Sequence, residues 1–587
     1  MALGPAMVAE AGTLQRWSDP RTWGGRVPGR RDVVRVSKKI LLDVNARVAG
    51  VIITGSGALV FASKRSVTLT SSGNVVVKGK LVMRPRYRRV IHKLRFVGVK
   101  ESRFRGGHTM DPLPSDVGLW VMDTGRLDAA GSPKLAWTRL TESVPAAATA
   151  ITLAEDPVGW RVGDFLTITP TQPPTVETFW YAFDTVQIAG ISGRTIQLSR
   201  ATTYDHPAVT VAPGRTYGAE VLNLTRNVRV EGTRKGRAHI LVLANQPQEI
   251  SHVAIRYMGP RKTKRDGTSV PVLGRYPLHF HMQGGLARGT TVTGVVVRDS
   301  RNHAFVAHTS NGITYRECIA YRIVEDAYWW DEGEVTSDLL WERCVAANVR
   351  KLDGDGDTRC TGFNMGMGKR NAAVGCVAVG LHQKTQASGF KWRRAGVWRF
   401  EDCLAHNNAI FGIFAWTNDD PNAHRISRFV GYHNGTGIFH GAYSNSYLYE
   451  DGVLCGNRSA IVISALAHEP GLRFERMRCD GAGISDYLIR TEEHKSSAHM
   501  PTVISACDFR GYNKAAIGWL AVDPDNPEQF EVLDCSFEGN EFWLASNIHP
   551  QSLILVRDPI HGAISLHRVD LEGDLLPEWN ARVNPVA

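Results

Sequence analysis

No run of about 18 consecutive apolar residues occurs anywhere in the 587-residue chain, so no transmembrane helix is expected in it. Apolar stripes with the 3.6-residue period of an amphipathic helix are as scarce, which argues against an α-rich fold. The nine cysteines are odd in number, irregularly placed and include no CxxC pair, so neither a disulfide framework nor a zinc knuckle is indicated. Neither an RNP-type signature nor a basic helix accompanies the net charge of +12, and nucleic acid is set aside as a partner. The opening Met1-Ala-Leu-Gly-Pro-Ala-Met-Val8 has no charged n-region followed by an apolar h-region, and it reads as the trimmed start of a mature chain or a leftover of cloning.

What is present points to β structure. Hydrophobic residues at 43% and charged residues at 21% are ordinary for a water-soluble protein, while 57 glycines imply many tight turns between short strands. The length exceeds what one core supports, so two or three packed β-rich units are expected. The positive charge makes a polyanion a sensible partner, because the field raises its local concentration.

Residues 30 to 105 alternate in strand fashion, as in Val33-Val-Arg-Val36 and Gly73-Asn-Val-Val-Val-Lys-Gly79. The basic run from Arg84 to Arg89, continuing through His92, Lys93, Arg95 and Lys100, has two readings: a face for an anionic ligand, or a solvated strand face. Residues 136 to 235 are again β in pattern. From about 250 a motif recurs, an apolar residue or cysteine followed four positions later by a turn residue: Cys344 to Asn348, Cys376 to Gly380, Cys403 to Asn407, Val430 to Asn434, Val453 to Asn457. The period of about 24 to 32 residues is one coil of a parallel β-helix. On this reading most cysteines stack inward as small apolar residues.

Aligning the strand after each turn puts Phe305, Tyr328, Phe363, Phe390, Ile413, Ile438 and Ile461 in one inward column. Ala307, Trp330, Met365, Trp392, Ala415, His440 and Ile463 form a second. Alternation sends Val306, Trp329, Asn364, Lys391 and Phe414 outward, and likewise His308, Asp331, Gly366, Arg393 and Trp416. Aromatics for pyranose faces and cations for uronates suit a sugar groove. Trp329, Asn364, Lys391, Arg393 and Trp416 are its candidate substrate contacts, with Arg275 from the preceding coil.

One coil earlier stands Gly274-Arg-Tyr-Pro-Leu-His-Phe-His281, whose two histidines share a strand face. With strands about 4.8 Å apart, His279 and His281 fall beside His308, and Asp331 one coil further. Three imidazoles and a carboxylate suit a divalent metal such as zinc; a metal-free, histidine-rich groove and plain surface histidines are the other readings. Asp326, Asp331, Glu332 and Glu334 are candidates for the acid and base of glycosidic hydrolysis, and His279, His281, His308, Asp331 and Glu332 form the proposed catalytic set. A lyase would use a base and a cation, for which His308, Lys391 and Arg393 serve. Asp353-Gly-Asp-Gly-Asp357 is oxygen-rich enough for calcium, but it lacks the later glutamate of an EF-hand, and an exposed polar turn is the expectation there.

Trp17-Ser-Asp-Pro-Arg-Thr-Trp23, Val27-Pro28, Asp32-Val-Val-Arg-Val36 and the glycines at 50, 55, 57, 73 and 79 resemble the domain named for its eight glycines. Ala219-Glu-Val-Leu-Asn-Leu-Thr-Arg-Asn227 and the GRYPLHFH stretch then resemble, in order, motifs of the cell migration-inducing hyaluronidase, transmembrane protein 2 and fibrocystin-like group. The similarity spans residues 16 to about 400. It implies a β-helix, an extracellular setting and, by its best-studied members, hyaluronan binding or depolymerisation. Glu325-Asp326 stands where relatives usually carry Gly-His, and Asp331-Glu332-Gly333 where they carry Glu-Asp-Gly.

The expectation is therefore an all-β chain: an eight-glycine domain at 13–135, a β connector at 136–235 and a right-handed parallel β-helix with a C-terminal cap at 236–587. It is expected to be secreted or cell-surface, monomeric, and to depolymerise an acidic polysaccharide, with a divalent metal (zinc or calcium) as the candidate cofactor. A non-catalytic carbohydrate-binding adhesin is the alternative on the same fold.

Overall fold

The computed structural model describes residues 14–538, apart from 108–110, 332, 334, 352–359, 383–385, 419, 442–445, 465–470, 492–501 and 520–528, and separate strands beyond 538. The chain is a right-handed parallel β-helix of about 18 turns. Each turn lays one short strand on each of three parallel sheets. Leu278–Gly284 belongs to the first sheet, Thr291–Thr293 to the second and Val296–Ser300 to the third. No helix among the described residues is long and apolar enough to cross a membrane.

The corner from the second sheet to the third is turned by a single left-handed residue. Glu317, Arg343, Asp402, Arg428 and Asp451 take φ of 51–56° there, and Gly375 takes 62° at the equivalent corner. One αL residue bends the chain sharply without consuming strand length. The next residue then points inward: Cys318, Cys344, Cys376, Cys403, Cys507 and Cys535 occupy this column, buried in the core. All nine cysteines are free and buried, as the stacking pattern predicts.

The first inward column forms as expected. Phe305, Tyr328, Phe363, Phe390, Ile413, Ile438 and Ile461 pair in register along the first sheet. Their rings stack face to face at 4.9, 4.5 and 5.0 Å from Phe305 through Phe390. An asparagine ladder lies nearby, with Asn408 Nδ2 donating to Asn434 Oδ1 (2.9 Å) and Asn434 Nδ2 to Asn457 Oδ1 (3.0 Å). The repeat is offset by one from the sequence alignment at this coil: Leu404, not Cys403, pairs with Val430. Asn408 therefore joins the ladder, and Asn407 turns outward. Trp330 also departs from its expected inward place. It packs with Tyr276, Val306, Trp329 and Met367 outside the main core, because the local strand is only Tyr328–Trp329 and the alternation stops there.

The eight-glycine segment does not stand apart from the helix. Its strands are the first turns of the same solenoid, with Val75–Val77 pairing to Gly118–Asp123, and Gly118–Asp123 to His239–Ala244. The glycines let turns approach closely: a Cβ on Gly57 would sit 2.0 Å from the Val36 carbonyl oxygen, and one on Gly79 2.2 Å from that of Gly57.

The connector is a β insertion whose main sheet is antiparallel, lying between Arg126–Ala130 and Val228–Glu231. It docks on the third sheet. Trp137 donates to the Arg343 carbonyl at 2.9 Å, and Asn407 Nδ2 to the Gln172 and Phe179 carbonyls at 2.7 Å each. Glu220 lies between Arg139 (3.0 Å) and His406 (2.9 Å), fully buried. Burial alone would raise its carboxyl, but the His406 and Arg139 charges bring it down to about 2 from the ordinary 4.5. A depressed carboxyl stabilises docking above its unfolded value and loses that contribution as pH falls through its folded one. Connector docking should therefore weaken between about pH 4.5 and about pH 2, read as rising hydrogen exchange along Glu220–Asn223, and Glu220→Gln should remove most of that dependence.

Candidate active site on the first sheet

The GRYPLHFH stretch builds the centre of the site. Gly274 takes φ of 74°, which turns its carbonyl to accept from His279 Nδ1 at 3.0 Å. That bond fixes the His279 tautomer and leaves Nε2 as the lone-pair nitrogen. Phe280 points into the core, fully buried, so His279 and His281 share the outer face. His281 pairs with His308 of the next turn, as the strand spacing predicts.

The donor atoms converge. His281 Nδ1 is 3.2 Å from His279 Nε2 and 3.1 Å from His308 Nδ1. His308 Nδ1 is 3.3 Å from Asp331 Oδ2. Ligand atoms of the three histidines all lie within 4.8 Å of one another. A tetrahedral zinc with bonds of about 2.0–2.1 Å separates neighbouring ligands by about 3.3 Å, so the spacing fits a metal. All three imidazoles are buried. Burial first, then the His281 and His308 charges, hold His279 well below the ordinary histidine range, so it is neutral and ready to ligate at pH 7.

Two residues that the pattern reading missed frame this centre. The Tyr276 hydroxyl lies 3.5 Å from Asp331 Oδ2, and its ring packs on His279 at 4.7 Å and Trp329 at 5.6 Å. His303 stacks on Trp329 at 3.8 Å and accepts from the Asp326 N–H through Nδ1. Tyr276 stood in the GRYP stretch as a signal; His303 carried none, because it precedes its strand.

Other candidates fall in different places. Arg275 does not face the groove: it is buried, its Nε bonds Asp116 Oδ2 at 2.8 Å, and its guanidinium lies over Trp120 at 4.9 Å. Asp326 accepts from the Thr361 N–H (2.8 Å) and Asn364 Nδ2 (3.0 Å), and Glu325 pairs with Arg261 at 2.6 Å. These carboxylates are used in holding the coil. Asn364 and Lys391 occupy the outward column beside Phe414, yet both are only 1% exposed. Trp329 is likewise outward and buried. Gly366 lies against Trp330, where a Cβ would meet the ring at 2.2 Å. Arg393 is exposed and Trp416 half-buried, stacked near Phe414 (6.0 Å) and Phe439 (6.2 Å). Glu332, Glu334 and Asp353 to Asp357 lie outside the described residues.

From Phe305–Ser310 to Phe411–Ala415 is four strand spacings of about 4.8 Å, so the Phe414, Trp416 and Phe439 platform stands about 19 Å along the face from the histidines. A polysaccharide lying along this sheet would meet imidazoles at one end and aromatic rings at the other.

Comparison with known proteins agrees with this architecture. The CEMIP beta-helix family model matches residues 237–427 and the G8 domain model residues 22–141. A G8 domain-containing protein of Dictyostelium discoideum is 24% identical over 345 residues, covering 56% of this chain and 28% of its own length. Human fibrocystin-L is 24% identical over 56% of this chain and 8% of its own. The human cell surface hyaluronidase CEMIP2 is 21% identical over 31% of this chain and 14% of its own. The chain thus spans under a third of the length of these relatives. Among solved structures, the match to the periplasmic alginate epimerase AlgG covers 87% of this chain and 85% of its own at 11% identity and a TM-score of 0.26.

Proposed function

Because the chain joins a G8 domain to a CEMIP β-helix, we propose that it is an extracellular enzyme that depolymerises an acidic, uronate-containing polysaccharide along its first sheet. One observation carries the reading: three buried imidazoles and Asp331 converge at ligand spacing on the outer face of the solenoid. Relatives include a cell surface hyaluronidase, which supports the choice of substrate class.

His279, His281, His308 and Asp331 would hold the divalent cation. Nitrogen ligands favour zinc over calcium, which prefers oxygen. When bound, such an ion polarises a sugar oxygen or lowers the pKa of a water. The chain itself supplies the rest. Gly274 orients His279, and the apolar wall of Tyr276, Val306, Trp329 and Trp330 excludes water and strengthens the site's electrostatics. Trp416 and Phe439 offer ring faces for pyranoses. Arg393, exposed near the same face, meets uronate carboxylates.

Arg393→Ser should weaken an acidic oligosaccharide about fivefold, the scale of one solvent-exposed charge pair, and leave a neutral one of equal length unchanged. Equal loss for both would remove Arg393 from the groove. The experiment that tests the activity incubates the protein with hyaluronan, chondroitin, heparan and bacterial uronates and sizes the products. An ultraviolet-absorbing unsaturated end sugar identifies elimination, and its absence in shortened chains identifies hydrolysis. Full-length glycans that nonetheless bind would replace the enzyme with the adhesin reading.

A further inference from the structure

The seam between the connector and the third sheet holds two adjoining cavities, of ≈ 130 and ≈ 120 Å³, which share Thr225, Arg226 and Arg229 in their walls. Cations dominate the lining: Arg88, Arg89 and Arg161 in one cavity, Arg256 and Arg298 in the other, and Arg229 between them. Three carboxylates oppose them: Asp164 and Glu231 in the walls, and Asp299 beside Arg256 (3.0 Å) and Arg298 (3.7 Å). Asp164 is engaged by Lys134 and by Asn223 Nδ2 (3.0 Å), and Glu231 by Lys93 at 3.4 Å and Arg95 at 3.8 Å. Among the described residues, Arg88, Arg89, Arg161, Arg226 and Arg229 have no carboxylate within ion-pair distance.

Arg226 stands where the two cavities meet and is 2% exposed. Its Nε donates to the Gly294 carbonyl (2.8 Å) and its Nη1 to the Asn223 and Thr225 carbonyls (2.9 Å each), while Nη2 has no partner. A buried guanidinium without a counter-ion and with an unspent N–H is costly, and an anion in the cavity would satisfy both needs. The local field registers on its neighbours. Burial, then the Arg226 and Lys134 charges, push His252 down to about 4, and burial followed by Arg256 lowers Arg298 to about 10.

The lip adds an apolar surface. Phe165 is 41% exposed and lines the cavity of Arg256 and Arg298, with the Arg298 guanidinium 5.9 Å from its ring. An exposed ring beside guanidinium forks matches a pyranose that carries an acidic group: the sugar face packs on the ring while the carboxylate or sulfate takes the bidentate donors. A simple phosphate would leave Phe165 unused.

We propose that this seam is a second binding site, on a different face of the solenoid from the histidines, that anchors an acidic polysaccharide through carboxylate or sulfate groups. The polysaccharide class rests in part on the proposed function; the anion chemistry does not. It also absorbs part of the basic run, since Arg88 and Arg89 line the cavity directly and Lys93 and Arg95 occupy Glu231.

The test measures binding of defined hyaluronan and heparin oligosaccharides to the full chain carrying His281→Ala, which leaves them uncut, and Arg393→Ser, which weakens the first-sheet groove. Adding Arg161→Ser with Arg229→Ser should weaken binding at least about tenfold and flatten its salt dependence. Phe165→Ala should weaken the oligosaccharides about threefold but leave a polyphosphate of equal charge unchanged. Arg226 is left intact because it holds three backbone carbonyls. Affinities untouched by the arginine pair would overturn the site. Polyphosphate or single-stranded DNA binding more tightly than either oligosaccharide would overturn the ligand class. Arginine-dependent binding with no glycan shortened by the wild type would uphold the seam and sink the enzyme reading instead, whereas shortening with arginine-independent binding would sink the seam alone.

Discussion

His279→Ala, His281→Ala and His308→Ala should each yield folded protein that retains less than about a hundredth of wild-type depolymerising activity and has lost its bound metal. The expectation follows from the spacing of the donors: His281 Nδ1 is within 3.2 Å of the lone-pair nitrogen of His279 and 3.1 Å of His308. Removing any one imidazole opens the cluster on one side and leaves two imidazoles and Asp331, a set that holds the ion far more weakly and releases it on dialysis. A site that acts as a unit gives losses that do not add, so the triple variant should be scarcely worse than each single one. Metal analysis of wild type, the three variants and a chelated sample checks it. Full activity in His308→Ala would remove the cluster from the chemistry, and undiminished activity in a demonstrably metal-free wild type would leave the histidines as direct substrate contacts.

Asp116→Ala should cost about 3–5 kcal/mol of local stability, the second large effect. The Asp116 carboxylate accepts from the backbone N–H groups of Arg105 (2.6 Å) and Gly106 (2.9 Å), from Ser115 Oγ (2.7 Å) and from Arg275 Nε (2.8 Å). Both Asp116 and Arg275 are buried, so its loss leaves a guanidinium uncompensated in a dry environment. Arg275 follows Gly274, whose carbonyl orients His279, so the loss should also loosen the histidine site. Hydrogen exchange over residues 104–107 and 274–281 reads the local opening. Asp116→Ala combined with Arg275→Met should recover part of the stability, because the pair is then removed together. A loss below about 1 kcal/mol would mean the pair is solvated or replaceable.

Much of the fold was legible because a β-helix repeats the same local physics turn after turn. The column from Phe305 to Ile461, the inward cysteines and the shared face of His279, His281 and His308 all follow from period-two alternation and a recurring turn. Alternation fails where strands are short. Trp330 follows a two-residue strand, and Asp331 beside it takes φ of 64°, so parity no longer says which way a side chain points. Direction is also not exposure: Asn364 and Lys391 turn away from the core yet are covered, and nothing in their own spacing records the cover. Arg275 shows the same limit, since its partner Asp116 lies 159 residues earlier. The union of the eight-glycine segment with the helix rests on pairings such as Gly118 with His239, which no local pattern announces.

The most direct test of the central claim is the chain length of uronate polysaccharides after incubation with wild type and with His281→Ala under identical conditions. The account predicts that the wild type shortens at least one of them and that His281→Ala, still folded, leaves the same polysaccharide at full length. Shortening at the wild-type rate by His281→Ala would contradict it.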